Sequence, residues 1–268
     1  MTAGPTLREK TERLRERLRE AGSAAVAFSA GVDSTLLLKL AHDALGAHCV
    51  AVTARSCFVP QRELREAEAF CAAQGVRLIV TDFAPLAVPG VRGNPPERCY
   101  LCKRALFSAL IETAKAEGLA CVMEGSNLDD LGDYRPGLRA IRELGVMSPL
   151  LDAGLTKTEI RALSRELGLP TWDKPALACL ATRFPSGETL TQEALSTVER
   201  AEEALRGLGF GQLRVRVHGT LARLELAPEQ FGLVLEQRLA VRDALHALGF
   251  RCVTLDLDGY RTGSMNRV

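Results

Sequence analysis

The chain of 268 residues carries almost no excess charge: 34 Lys and Arg against 33 Asp and Glu leave a formal net charge of +1. No overall field therefore points to nucleic acid or to an acidic membrane as a partner. Long apolar runs are missing as well, and none reaches the roughly eighteen residues that a membrane-spanning helix needs. The N-terminal segment has no apolar signal stretch. Its acidic residues, among them Glu9, Glu12 and Glu16, argue against a mitochondrial transit peptide. A cytoplasmic protein is expected. Two common phosphate-binding signatures are also absent, since no Gly-Lys-Ser/Thr stands at Walker spacing and no Gly-x-Gly-x-x-Gly occurs. No internal repeat or low-complexity segment is visible. With 47% hydrophobic and 25% charged residues, the composition is that of a globular protein, long enough for one large domain or for a large one plus a small one.

What is present begins with an alternation. Residues 6–21 read as an amphipathic helix with Leu7, Leu14 and Leu18 at helical spacing. Apolar strands are predicted at 24–28, 48–53, 77–81 and 120–124, with helices at 34–45, 60–74 and 103–117. Continuous apolar strands separated by helices predict an α/β fold with a parallel sheet. Glycines and prolines between 84 and 98 mark a long loop. Thr156 with Glu159 suggests a capping box opening a helix over 156–167. After an irregular stretch at 170–187 the pattern changes: a helix at 191–208, strands at 212–218 and 221–226, a helix near 228–248 and a strand at 252–257. This predicts a domain over 1–187 followed by a small α+β domain over 188–268.

The most informative segment is Phe28-Ser29-Ala30-Gly31-Val32-Asp33-Ser34, set between the first strand and its helix. A turn of this composition points backbone N–H groups and hydroxyls at an anion. The helix dipole adds positive potential at the same point. It is a phosphate cradle, and it resembles the Ser-Gly-Gly-x-Asp-Ser loop of the PP-loop ATP pyrophosphatases. The departure is Ala30, where that pattern has Gly. The resemblance implies ATP cleaved between its α and β phosphates and AMP placed on a substrate oxygen. On this reading Thr53 and Ser56, after the second strand, are candidates for holding adenosine, together with Gly125, Asn127 and Asp129 after a later strand. Asp33, Asp129 or Asp133 are candidates for holding Mg²⁺, and Lys103 or Arg135 for neutralising departing pyrophosphate.

Eight cysteines form the second signal. Cys49, Cys71, Cys121 and Cys252 sit in or beside apolar segments, where a thiol behaves as a small hydrophobe; Cys57 stays open. Cys99 and Cys102 form a Cys-x-x-Cys just before a predicted helix, a spacing that lets two thiolates share one metal. Cys179 stands in Cys-Leu-Ala-Thr-Arg, which ends at Arg183. In the small domain, period-two alternation sets Arg214, Arg216 and His218 on one face of a strand, with Arg223 and Glu225 alternating on the next. Such a face is either solvated or a grip for an anion. Glu202, beside an apolar stripe, is a candidate for orienting an arginine or for proton transfer.

The loop, Cys99–Lys103, Glu124–Asn127, Asp133 with Arg135–Gly137, Cys179–Arg183 and Arg214–His218 together resemble the ATP-dependent sulfur transferases of nickel-pincer nucleotide cofactor biosynthesis. The resemblance spans most of the chain. It implies adenylation of a carboxylate on a pyridinium dicarboxylate mononucleotide, then displacement of AMP by sulfur to give a thiocarboxylate. Arg183, Arg214 and Arg216 would hold this small anionic nucleotide, with no nucleic acid or membrane as partner. Two sulfur sources are implied: a [4Fe–4S] cluster on Cys99, Cys102 and Cys179 with one iron left open, or Cys179 giving up its own sulfur. A zinc site completed by His218 is the structural alternative. The resemblance also suggests a homo-oligomer. Rival readings are a tRNA thiolase, an amide-forming synthetase, and a non-enzymatic nucleotide or metal binder.

Overall fold

A computed structural model describes residues 4–132, 136–175 and 178–261. The chain divides into two compact units, Met1–Phe83 with Cys99–Leu177, and Ala84–Arg98 with Ala178–Val268. In chain order the elements are α1 (Leu7–Glu20), β1 (Ala24–Ala27), α2 (Val32–Leu45), β2 (Cys49–Arg55), α3 (Gln61–Gln74), β3 (Arg77–Asp82), α4 (Arg98–Ala116), β4 (Cys121–Met123), α5 (Pro136–Glu143), α6 (Pro149–Asp152) and α7 (Lys157–Glu166). There follow α8 (Gln192–Gly207), β5 (Leu213–His218), β6 (Leu221–Leu226), α9 (Phe231–Glu236), α10 (Arg238–His246) and β7 (Cys252–Leu255).

The first unit is an α/β layer structure around a parallel sheet of order β3-β2-β1-β4. β1 lies between β2 and β4, with Ala24 opposite both Cys49 and Cys121. Its side chains alternate between two apolar cores. Ala24 and Val26 join Leu14, Leu18, Leu36, Leu37 and Ile160 on one face. Ala25 meets Val50, Val52, Phe107, Leu110 and Ile141 on the other. Burial on both faces is why these strands read as unbroken apolar runs. α7 opens with the capping box foreseen, Thr156 Oγ1 accepting the Glu159 N–H while the Glu159 carboxylate accepts the Thr156 N–H.

The second unit holds a three-stranded sheet of order β5-β6-β7, antiparallel then parallel. Leu213, Val215, Leu224 and Leu226 pack with Leu205, Val234 and Leu245 into its core. Segment 84–98 belongs to this unit because Asn94 ties it there. Its Nδ2 donates to the carbonyls of Phe184 and Pro185 at 3.3 and 2.7 Å. Its own carbonyl accepts the Gly187 N–H. The division therefore departs from the expected boundary at 187, since these long-range bonds leave no local mark in sequence.

Other differences are local. β2 runs on to Arg55, and α4 starts at Arg98, ahead of the Cys-x-x-Cys. The helix expected over 228–248 is broken into α9 and α10 at Gln237, whose side-chain amide donates to the Leu208 carbonyl at 3.3 Å. Cys252, expected beside an apolar core, is exposed.

Candidate functional site

The cradle is built where β1 ends and α2 begins, on the C-terminal edge of the parallel sheet. Open α/β sheets bind ligands at that edge. Gly31 caps α2 without any side-chain cap bond, so the first turn keeps its amides for an outside partner. The Ser29 and Ser34 hydroxyls lie 3.0 Å apart, and Ser34 Oγ also accepts the Ser29 N–H at 3.3 Å. Ala30 takes the left-handed conformation at φ 51°. That conformation costs a residue with a Cβ about 1–2 kcal/mol. Phe28 and Val32 bury their side chains in the core, so only their backbone faces the loop.

The stretch after β4 packs against this helix start. A Cβ on Gly125 would lie 3.0 Å from the Ser34 nitrogen, so only glycine allows the approach without a shift. Asn127 Nδ2 donates to Asp33 Oδ1 at 3.2 Å, and Asn127 Oδ1 accepts the Asp129 N–H at 3.0 Å. Asp129 in turn accepts the Lys157 N–H at 2.8 Å. The Lys157 ammonium lies on Asp33 Oδ2. Glu124, nearly buried, organises the stretch by accepting from the Ser126 amide and the Ser126 and Ser148 hydroxyls.

Thr53, Cys99 and Cys102 differ from expectation in position. Thr53 lies inside β2 rather than after it, buried, with its carbonyl accepting the Thr81 hydroxyl at 3.2 Å. Ser56 caps the Phe58 amide at 3.2 Å. Arg135 and Asp133 lie outside the described residues. Cys99 and Cys102 are the second and fifth residues of α4, about one turn apart on the same face. A Cβ on Gly137 of α5 would lie 2.6 Å from Lys103 Cδ and 3.0 Å from Cys99 Sγ. The glycine gives both side chains their space. Among the described residues, no group of three or more His, Cys, Asp or Glu side chains forms a metal-holding cluster.

Cys179 belongs to the second unit and leads into a short turn at Leu180–Arg183. Its carbonyl accepts the Thr182 hydroxyl at 2.8 Å and Arg183 Nη1 at 3.2 Å. Arg183 is 2% exposed and forms a two-point pair with Glu202, at 2.8 and 3.0 Å. Arg216 donates to the Thr182 carbonyl at 2.8 Å and to Glu225 at 2.7 Å. Arg214 lies over the Tyr260 ring, 5.0 Å from its centroid. The face is therefore not solvated: Arg214 and Arg216 are 3% and 4% exposed.

Charge shapes this network. Burial pushes the Glu202 carboxyl up, but the Arg183 guanidinium, with Arg214 and Arg206, outweighs it and holds the group below its ordinary range. Glu202 is thus held as the ionised partner of these arginines. Burial and the neighbouring Arg183 lower the Arg214 pKa, opposed by Glu202. Arginines crowded at this density suit an anion with several oxygens.

No family model matches the chain. It is similar to an uncharacterized protein of Synechocystis sp., 44% identical over 98% of both chains. It is 41% identical to the pyridinium-3,5-bisthiocarboxylic acid mononucleotide synthase of Lactiplantibacillus plantarum, over 97% of this chain and 95% of that one. The chain belongs to this synthase family. A more distant likeness, 26% identity over 61% of the chain and 57% of the relative, joins it to one of the subunits of the glutamine-hydrolyzing GMP synthase from Thermoplasma volcanium. The α/β PP-loop architecture and an enzymatic role come with that membership.

In this member of the synthase family, sequence reasoning missed three residues. Lys157 and Lys174 reach the loop from segments far along the chain. Glu225, noted only for its alternation, proves to be the fully buried counter-charge of Arg216. For Lys157 a signal was available, since the Thr156–Glu159 capping box places it at the first position of a helix at the same sheet edge.

Proposed function

We propose that the protein is an ATP-dependent sulfur transferase that adenylates a carboxylate of a pyridinium dicarboxylate mononucleotide and replaces AMP with sulfur. The observation that carries the reading is the uncapped start of α2 with its paired Ser29 and Ser34 hydroxyls, in a chain 41% identical to a pyridinium-3,5-bisthiocarboxylic acid mononucleotide synthase. The first unit would bind ATP and the second the substrate.

The substrate carboxylate attacks the α phosphorus, the bond to the β-phosphate oxygen breaks, and pyrophosphate departs. The α2 amides and the hydroxyls of Ser29 and Ser34 compensate charge on the phosphates. Arg183 and Arg216, aligned by Glu202 and Glu225, would hold the substrate's anionic groups together with Arg214. Sulfur then attacks the acyl carbon, the acyl–phosphate bond breaks, and AMP leaves. Adenylation is needed because a carboxylate is too poor an electrophile for direct thiolation.

Asp33 and Asp129 offer the hard oxygen donors that Mg²⁺ prefers, and the ion would supply positive charge beside the phosphates. Cys99, Cys102 and Cys179 offer the thiolates for a [4Fe–4S] cluster. When bound, such a cluster would supply an iron able to carry sulfide to the acyl carbon. The spacing of Cys99 and Cys102, one turn apart on α4, supports a shared-metal reading over a lone sacrificial Cys179. A cytoplasmic location agrees with thiols kept reduced. Exposed Leu235, Leu239 and Leu257 support association of copies of the chain.

Two measurements on anaerobically purified protein test this. Pyrophosphate release from ATP that requires the pyridinium dicarboxylate mononucleotide is expected; absence of it with folded protein overturns the adenylation reading. A broad absorption near roughly 400 nm with about four irons per chain, lost in Cys99→Ala, is expected for the cluster. Iron-free protein after reconstitution, losing the mass of one H₂S per turnover, would leave Cys179 as the donor.

A further inference from the structure

Ala30 stands where the PP-loop pattern has glycine, and it holds the left-handed conformation that glycine adopts freely. Something else must hold it there. The Lys174 ammonium donates to the Ala30 carbonyl at 2.7 Å. The same ammonium pairs with Glu66 on α3, which also receives Arg62 at 3.4 Å. The lysine side chain is 14% exposed, so the bond is shielded from water. Its backbone is fixed in turn: Arg161 donates to the carbonyls of Trp172 and Lys174 at 2.7 and 2.9 Å.

We infer that Lys174 is a positioning residue of the nucleotide site, clamping the loop in the kink that glycine would otherwise supply. A trans peptide points its N–H opposite to its C=O. Holding the Ala30 carbonyl on Lys174 therefore turns the Gly31 N–H away from the lysine and fixes its direction. In a cradle that works by aimed backbone amides, that direction decides affinity. Glu66 keeps the ammonium in place and neutralises it, so the lysine acts on the loop rather than as a second phosphate ligand.

This rests on the reading that the loop binds ATP, and the test separates the two. ATP and a non-hydrolysable analogue are titrated calorimetrically into the wild-type protein, Lys174→Met, Ala30→Gly and the double variant. Wild-type protein that does not bind ATP speaks against the parent reading. With wild-type binding in hand, Lys174→Met is expected to weaken ATP about tenfold, a loss of about 1.4 kcal/mol. The same substitution in the Ala30→Gly background is expected to cost little. In pyrophosphate release, KM for ATP should rise more than kcat falls. An equal loss in both backgrounds overturns the clamp, because a lysine touching phosphate, or one that merely supports the fold, is blind to residue 30. No loss in either also overturns it. Should Lys174→Met fail to fold, Lys174→Gln gives the same comparison.

Discussion

Glu202 Oε1 accepts from both Arg183 Nε at 2.8 Å and the Val215 amide at 3.2 Å, joining the turn after Cys179 to strand β5 through one carboxylate. Both members of the ion pair are 2% exposed at the side chain. A pair this deep contributes less as attraction than it costs when broken, because the survivor is left as an uncompensated buried charge.

Glu202→Ala is therefore expected to destabilise the protein by about 3–5 kcal/mol. The pH dependence follows from the direction of the shift. A carboxyl held below its ordinary value of 4.5 stabilises the fold fully above that value, and the stabilisation is lost as pH falls through the lowered one. Thermal melts from neutral to acid pH should show Glu202→Gln with a weaker loss on acidification than wild type.

Lys157 and Asp33 form a partly exposed pair, with side chains 31% and 23% exposed. Breaking it is expected to cost about 1 kcal/mol or less in stability. Without the ammonium, the Asp33 carboxylate has one competitor fewer for a divalent cation. Lys157→Met should bind Mg²⁺ more tightly in the absence of nucleotide. Calorimetric titration of Mg²⁺ into the two proteins decides this, and equal affinities would contradict it.

Gly137 makes room for Lys103 and Cys99 together. Lys103 is long and gives way, whereas Cys99 Sγ is one bond from its Cβ and does not. Gly137→Ala is expected to destabilise by about 1–3 kcal/mol through overpacking and to change the reactivity of the Cys99 thiol. A denaturant melt and a thiol-specific rate on the Cys99-only variant measure the two effects.

The eight thiols should divide by reactivity. Burial, with Cys71 and Cys121 nearby, pushes the Cys49 thiol up to about 12, and burial pushes Cys71 to about 11. Since the thiolate is the nucleophile, neither should react near pH 8. Peptide mapping after brief alkylation is expected to find exposed Cys252 modified and Cys49 and Cys71 intact. Early labelling of Cys49 would remove it from the core.

Much of the fold was legible because burial leaves a local mark. β1 and β2 are covered on both faces and so read as continuous apolar runs, and the Thr156–Glu159 box announces α7 at its first residue. The place of 84–98 was not legible. It depends on Asn94 reaching carbonyls some ninety residues away, for which an isolated asparagine gives no sign. Nor was the burial of Arg214 and Arg216, because alternation marks a shared face without saying what covers it.

The sequence alone determined the phosphate cradle, whose strand, turn and helix are neighbours in the chain and need only local propensities to form. It also determined the inventory of chemistry: Cys99 with Cys102 at one-turn spacing, Cys179, and arginines on one strand face. Tertiary structure decided how charge and strain are held. It set Lys174 on the Ala30 carbonyl, Lys157 on Asp33, Glu202 on Arg183 and Glu225 on Arg216. The physical reason is the reach of long side chains. An ammonium or guanidinium finds its partner by distance in space, and folding alone brings Lys174 to a loop 144 residues earlier.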